Sequence, residues 1–153
     1  MLKALSELFD RTFKGDGDES QPAHEQALRF ATAILLVEVA RADFAQDLSE
    51  DAAMADLLKE HFALREAETA LLIEEAKTEA DHAASLQAFT RRLHENLTVP
   101  EKHRIIEMLW RVALADEHLD KHEDHLIRKI AGLLYVSHSD LIRIRNRVDP
   151  SHR

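Results

Sequence analysis

The sequence lacks cysteine and contains few residues that break helices. None of its 153 residues is cysteine, and only three are glycine and three are proline. The absence of thiols excludes disulfides, cysteine nucleophiles and cysteine-ligated zinc, and it fits a reducing compartment, so we expect a cytoplasmic protein. The most apolar run, FATAILLVEVA, is about half the roughly 20 residues that a membrane-spanning helix needs, and Glu38 interrupts it. We therefore expect no transmembrane segment.

The charge of the chain is strongly negative. Asp and Glu together number 29 against 20 Lys and Arg, which gives a formal net charge of -9 at pH 7. A negative surface repels the phosphate backbone, so nucleic acid is not an expected partner. Cations and other proteins that contact an acidic surface are the expected partners. Trp110, the single tryptophan, is expected in the core or in an interface between subunits, which leaves a homo-oligomer open.

Apolar residues recur at helical spacing through almost the whole chain, as in the stripe Ile105, Leu109 and Val112. No useful length alternates as a strand would. We predict helices over residues 2–13, 22–43, 48–62, 65–80, 83–97, 100–116, 121–134 and 138–148. The breaks fall at GDGDESQP, residues 15–22, and at Pro100. These patterns predict an all-α, single-domain helical bundle over residues 22–150, preceded by a short amphipathic helix and acidic loop over residues 1–21.

Two segments of the chain resemble each other. LVEVARADFAQDLSED, residues 36–51, aligns without gaps with LWRVALADEHLDKHED, residues 109–124, and eight of the sixteen positions are identical. Each copy is typical of a helix, a short acidic turn and a second amphipathic helix. We therefore predict two pseudo-symmetric helix-turn-helix repeats, near residues 36–67 and 109–140.

The acidic residues of the two turns suggest a cation site. We expect Asp43 and Asp116 to end a helix, where the negative end of the helix dipole disfavours a carboxylate, so each needs a positive partner. Hard divalent cations collect several carboxylate oxygens from such turns. The predicted ligands are Asp43, Glu50, Asp116 and Glu123, with Asp47 and Asp120 as accessory residues. The two turns either converge on one site or form two separate sites, and the identity of the metal ion is unknown.

Helix capping is the simpler interpretation of the same residues. Asp47 with Glu50, and Asp120 with Glu123, have the spacing of a capping box, in which each carboxylate accepts from exposed backbone amides. The spacing is not that of an EF-hand, which needs acids at alternating positions and a central glycine. Capping could therefore account for four of the acids without any metal.

Histidines add a second kind of candidate ligand beside the later turn. His118 and His122 lie near helical spacing, and imidazole favours zinc, nickel or copper. The first repeat has Ala45 and Ser49 at the equivalent positions. These histidines are therefore accessory candidates outside the repeated pattern, and surface histidines are the simpler interpretation.

The two turns have the sequences RADFAQDLSE and LADEHLDKHE, and in each of them Glu follows the Asp of an Ala-Asp pair after seven residues. In this pattern the chain resembles the TerB-like proteins associated with tellurite resistance. The resemblance implies an all-helical pseudo-symmetric domain, an acidic patch associated with metal binding, a role in stress-response assemblies and no established enzymatic activity. The family usually places glycine after each Asp, whereas Phe44 and Glu117 stand there in this chain.

Two functional hypotheses follow. The first is a non-enzymatic stress-response module in which a divalent cation ties the two acidic turns together. The alternative is a metal-independent protein-protein interaction scaffold whose acidic surface includes Asp120 and Glu123. An enzyme is not expected, because no phosphate-binding loop, serine elbow or HExxH motif is present, and only Glu79 with His82 has the spacing of a di-iron half-site.

Overall fold

The structure, a computed structural model, describes residues 20–41, 48–82, 86–114 and 121–149. These residues form seven helices and no strand, which confirms the predicted all-α fold. The helices are α1 (Ser20–Arg41), α2 (Leu48–His61), α3 (Glu66–His82), α4 (Leu86–Asn96), α5 (Val99–Ala113), α6 (Lys121–Leu133) and α7 (His138–Val148). The helix predicted over residues 2–13 lies outside the described residues.

Helix α1 lies at the centre of the core. Between Ala27 and Ala40, every residue except Arg29, Phe30 and Glu38 is buried. A helix that is apolar on nearly all sides must be surrounded by other elements, and α1 packs against α2, α3, α5 and α6. Despite its length, neither α1 nor any other helix in the described ranges is long and apolar enough to cross a membrane.

The packing of the helices has a paired pattern. Helix α1 packs on α3 as α5 packs on α7, and α1 and α5 pack against each other. Helix α2 contacts α1, α3 and α5, while α6 contacts α5, α7 and α1. Exchanging α1 with α5, α2 with α6 and α3 with α7 leaves this set of contacts unchanged. Helix α4, outside both groups of three, contacts α6. Two related three-helix units would produce this pattern; the repeat itself stays a prediction.

Helices α2 and α6 leave the bundle through similar turns. Ala63 and Tyr135 follow the two helices with φ angles of 53° and 60°, in the left-handed region. The next residues, Leu64 and Val136, are buried and donate their backbone N–H to the carbonyl five residues back, over 2.9 and 2.8 Å. This bond satisfies a carbonyl that the helix end leaves free, and the buried apolar side chain fixes the exit direction.

Helix α5 begins at a complete capping box. The Thr98 hydroxyl accepts from the Glu101 N–H over 3.3 Å, and the Glu101 carboxylate accepts from the Thr98 N–H over 2.9 Å. Pro100 follows at a position where its missing N–H has no cost. The helix ends at Ala113, with Leu114 as its C-cap. The predicted end at residue 116 was therefore wrong by three residues.

Candidate functional site

The structure describes three of the eight predicted site residues, namely Glu50, His122 and Glu123. The other five, Asp43, Asp47, Asp116, His118 and Asp120, lie outside the described residues. The helix-dipole argument for a positive partner of Asp43 and Asp116 therefore stays a prediction, as does the convergence of the two turns.

Glu50 and Glu123 have the same place in their helices. Helix α2 begins at Leu48 and α6 at Lys121, so each glutamate is the third helical residue. That first turn carries exposed N–H groups and the positive end of the dipole, and both favour a carboxylate there. The sequence alignment therefore corresponds to equal positions at the two helix starts.

Glu123 is fully buried. Its exposed fraction is 0%, and it is the one buried acid among the residues that the structure describes. Glu101, at the equivalent capping-box position of α5, is by contrast partly exposed. Removing a charged carboxylate from water costs several kcal/mol in an uncompensated site, so a buried glutamate needs strong local compensation. Glu123 is therefore more than an ordinary surface cap, and the prediction that it lies on the acidic surface of a scaffold is wrong for this residue.

The two residues beside Glu123 are not fully buried as Glu123 is. His122 is exposed, and neighbouring residues on a helix do not face each other, so His122 and Glu123 point in different directions. Asp124 is partly buried and accepts from the Arg128 Nε over 3.1 Å. Across the described ranges, no group of three or more histidine, aspartate or glutamate side chains is placed to hold a metal ion.

The structure also shows a polar cluster that the sequence reasoning missed. The Nζ of the buried Lys102 on α5 lies 2.6 Å from the His94 Nδ1, within hydrogen-bond distance. The exposed Tyr135 ring lies on His94 with 4.2 Å between the ring centroids. Burial lowers the pKa of Lys102 below its ordinary value. The sequence does contain a signal for this cluster, because the charged Lys102 stands three residues before Ile105, on the apolar stripe of α5.

A second missed feature is the groove between α1 and α3, which we call the α1/α3 groove. Its apolar lining consists of Phe30, Leu64, Leu71 and Leu72, and Glu68 and Glu75 stand among its polar residues. The Glu68 carboxylate accepts from the Arg65 backbone N–H and side-chain Nε over 3.0 and 3.1 Å. These bonds, led by the backbone one, lower the pKa of Glu68. The groove therefore carries the carboxylates of Glu68 and Glu75 together with the guanidinium of Arg29.

Comparison with known proteins identifies a family. The family model described as tellurite resistance protein TerB matches residues 29–146, which is more than half of the chain. The searches of curated proteins and of solved structures gave no match. The matched range includes α2 to α7, most of α1 and both acidic turns.

Proposed function

The chain belongs to the TerB family, and from that premise we propose that it is a non-enzymatic, tellurite-resistance-related stress-response module that binds a divalent cation at its acidic turns. The observation that carries the proposal is the complete burial of Glu123 in the first turn of α6. The buried carboxylate supplies two oxygens of the kind that a hard divalent cation binds.

The proposed ligands come from both repeats. Asp116 and Glu123 would bind at the second turn, and Asp43 and Glu50 at the first. Asp47 and Asp120 are accessory carboxylates. All these donors are oxygens, which suits calcium, magnesium or manganese; His118 and His122 would contribute only to a softer metal ion. Occupancy would hold the loop after α5 against the start of α6, and so favour one packing of the bundle.

Calorimetry on the full-length, chelator-stripped protein tests the cation site. We expect saturable binding of Ca²⁺, Mg²⁺ or Mn²⁺ to the wild type and its loss in Glu123→Gln and Asp116→Asn, since each substitution removes a charged ligand at nearly constant shape. Asp124→Asn is the matched control, because it alters the next residue of α6 and leaves Glu123 in place. Circular dichroism would show that the variants remain helical.

Two results would overturn this proposal. One is the absence of saturable binding of all three ions to the wild type. The other is unaltered binding in Glu123→Gln, Asp116→Asn, Glu50→Gln and Asp43→Asn alike. Binding that survives these changes but is lost in His122→Ala would transfer the site to a histidine-ligated metal ion.

The metal-independent scaffold is the second candidate, and the acidic rim of α3 favours it. Glu74 and Glu75 are exposed next to each other on α3. Such a face suits a basic protein partner, mainly by steering its approach. The test is a partner recovered by cross-linking. A scaffold predicts that its capture survives chelator and is lost in Glu74→Lys with Glu75→Lys, whereas loss on chelation alone would count against it.

A further inference from the structure

The outer side of α3 combines apolar side chains with acids. A depression of about 380 Å³ on this side is lined by Phe30, Glu74, Glu75, Thr78 and Glu79. Leu71, one turn before Glu74, is 60% exposed. Residues 71, 74, 75, 78 and 79 follow one another at helical spacing and therefore share one side of the helix. We call these five residues, together with Phe30, the α3 face.

The cations around α3 lie at the edges of this face. Arg65 contacts Glu68 at 3.1 Å, and Arg29 lines the α1/α3 groove with the same glutamate. Lys77 stands three residues after Glu74, beside the α3 face. With Lys77 counted, three glutamates stand against one cation, so the α3 face has a net charge of -2. Its outer surface is therefore both acidic and partly apolar.

The outer side of α7 has the opposite charge. A depression of about 600 Å³ is lined there by Ser139, Ile142, Arg143, Asn146 and Arg147, which have the same helical spacing. We call these five residues the α7 face.

The acids around the α7 face do not cancel its charge at the surface. Asp140 lies 2.8 Å from Arg143, and Glu107, which Arg111 also contacts, lies 3.8 Å from Arg147. The two arginines of the face are 65% and 61% exposed, whereas the two acids are 33% and 25% exposed. Together with its C-cap residue Asp149, α7 carries three arginines and two aspartates. Each guanidinium also has five N–H donors, more than one carboxylate can use. The part of α7 that reaches furthest into solvent is therefore cationic.

The two faces have equivalent places in the two three-helix units. The left-handed residues of the turns before α3 and α7 are 72 residues apart. With this offset the buried Leu72 corresponds to the buried Ile144, and the outward Glu75 corresponds to Arg147. Helix α3 packs on α1 and α2, and α7 packs on α5 and α6, so both helices are fixed within the bundle. The α3 face of one copy can therefore meet the α7 face of another copy.

We propose that the α7 face of one copy binds the α3 face of a second copy, with the two arginines beside the glutamates of α3 and Ile142 against Phe30. The apolar contact would exclude water, and the charges would steer the approach and fix the register. Because the contact joins two different surfaces, it can repeat from copy to copy and form a ring or a filament. This inference names a partner for the acidic α3 face of the scaffold candidate and does not depend on the cation site.

Sedimentation velocity on the full-length protein tests the proposal, with chelator present so that the cation site does not contribute. We expect the wild type to self-associate, and about 0.5 M NaCl to weaken the association. Arg143→Glu with Arg147→Glu should raise the dissociation constant at least about tenfold, because acids would then face acids. The matched control is Lys121→Glu with Lys129→Glu, which makes the same charge change at exposed positions of α6 and should leave the association unchanged.

A charge exchange tests whether the two faces bind each other. Glu74→Lys with Glu75→Lys gives the α3 face the sign of the α7 face, so this variant alone should also lose self-association. An equimolar mixture with Arg143→Glu, Arg147→Glu should associate again, because each reversed face then meets an opposite one. Circular dichroism would show that all variants remain helical.

Three results would overturn the proposal. One is a wild type that stays monomeric up to about 0.1 mM. Another is a mixture of the two variants that associates no more than either variant alone. The third is a monomer whose α3 face captures a different basic protein, which would leave the scaffold candidate intact.

Discussion

Trp110 offers the sharpest test of how the core is held together. Its side chain is 0% exposed on α5, in agreement with the core location that its sequence allowed. A tryptophan buries about 150–250 Å², which corresponds to roughly 4–6 kcal/mol at about 25 cal/mol per Å². We therefore expect Trp110→Ala to lower the free energy of unfolding by about 3–5 kcal/mol, a large part of the roughly 5–15 kcal/mol of a typical domain.

Trp110→Phe differs from Trp110→Ala because it removes the indole N–H but keeps an aromatic ring. The Nε1 atom is buried and finds no acceptor among the described residues. Phenylalanine is about 40 Å³ smaller, and the residual cavity costs about 1 kcal/mol. Removing an unsatisfied buried donor returns about 1–3 kcal/mol. Arg145, whose guanidinium carbon lies 5.3 Å from the ring centroid, can still lie over a phenyl ring. The two terms sum to between about zero and a gain of about 2 kcal/mol, so Trp110→Phe should be at least as stable as the wild type.

Urea denaturation followed by far-UV circular dichroism measures both variants without relying on the tryptophan signal. Val99→Ala, at a 60% exposed position, is the control and should change the free energy by no more than about 0.5 kcal/mol. The reasoning fails if Trp110→Phe destabilises the protein as much as Trp110→Ala, because the indole N–H would then have a partner. It also fails if Trp110→Ala costs less than about 1.5 kcal/mol.

Three further predictions concern stability. Thr98→Ala removes the N-cap of α5 and should cost about 1 kcal/mol in urea denaturation, whereas Thr78→Ala, on the exposed side of α3, should cost less than about half of that; equal effects would contradict the capping argument. Gly132→Ala meets no atom within 4 Å and should raise the free energy of unfolding by about 0.5–1 kcal/mol, so a lower melting temperature would refute it. Burial lowers the folded-state pKa of Lys102, so between that pKa and the ordinary 10.5 the unfolded chain holds more protons and stability rises with pH. Urea titrations over this range should show the rise reduced in Lys102→Met, and identical slopes would argue against the buried ammonium.

The sequence predicted the helices well because the signal was periodic and the breaks were few. All seven helices of the described part were expected, and α7 has the predicted bounds. The end of α5 was missed because residues after Ala113 contain no glycine or proline. The local sequence therefore does not predict the end of α5, which is marked only by the backbone hydrogen bonds that the Leu114 N–H donates.

The candidate site was less predictable. Spacing placed Glu123 in a first turn, but its burial depends on how α6 packs against α1, α4 and α5, which local sequence does not contain. For the same reason the sequence predicts Glu123 on an acidic surface, whereas the packing of α6 buries it. Lys102 could have been found, because a charged residue on an apolar stripe signals either a partner or a boundary.

The central position of α1 bears on how the chain can be divided. Because α1 contributes apolar side chains to helices from both ends of the sequence, neither three-helix unit has a complete interior by itself. Unlike a solenoid, in which neighbouring repeats can be removed one at a time, this architecture should melt in one cooperative transition. Gene fragments ending between α4 and α5 would expose the apolar faces of α1 that α5 and α6 cover, and should aggregate.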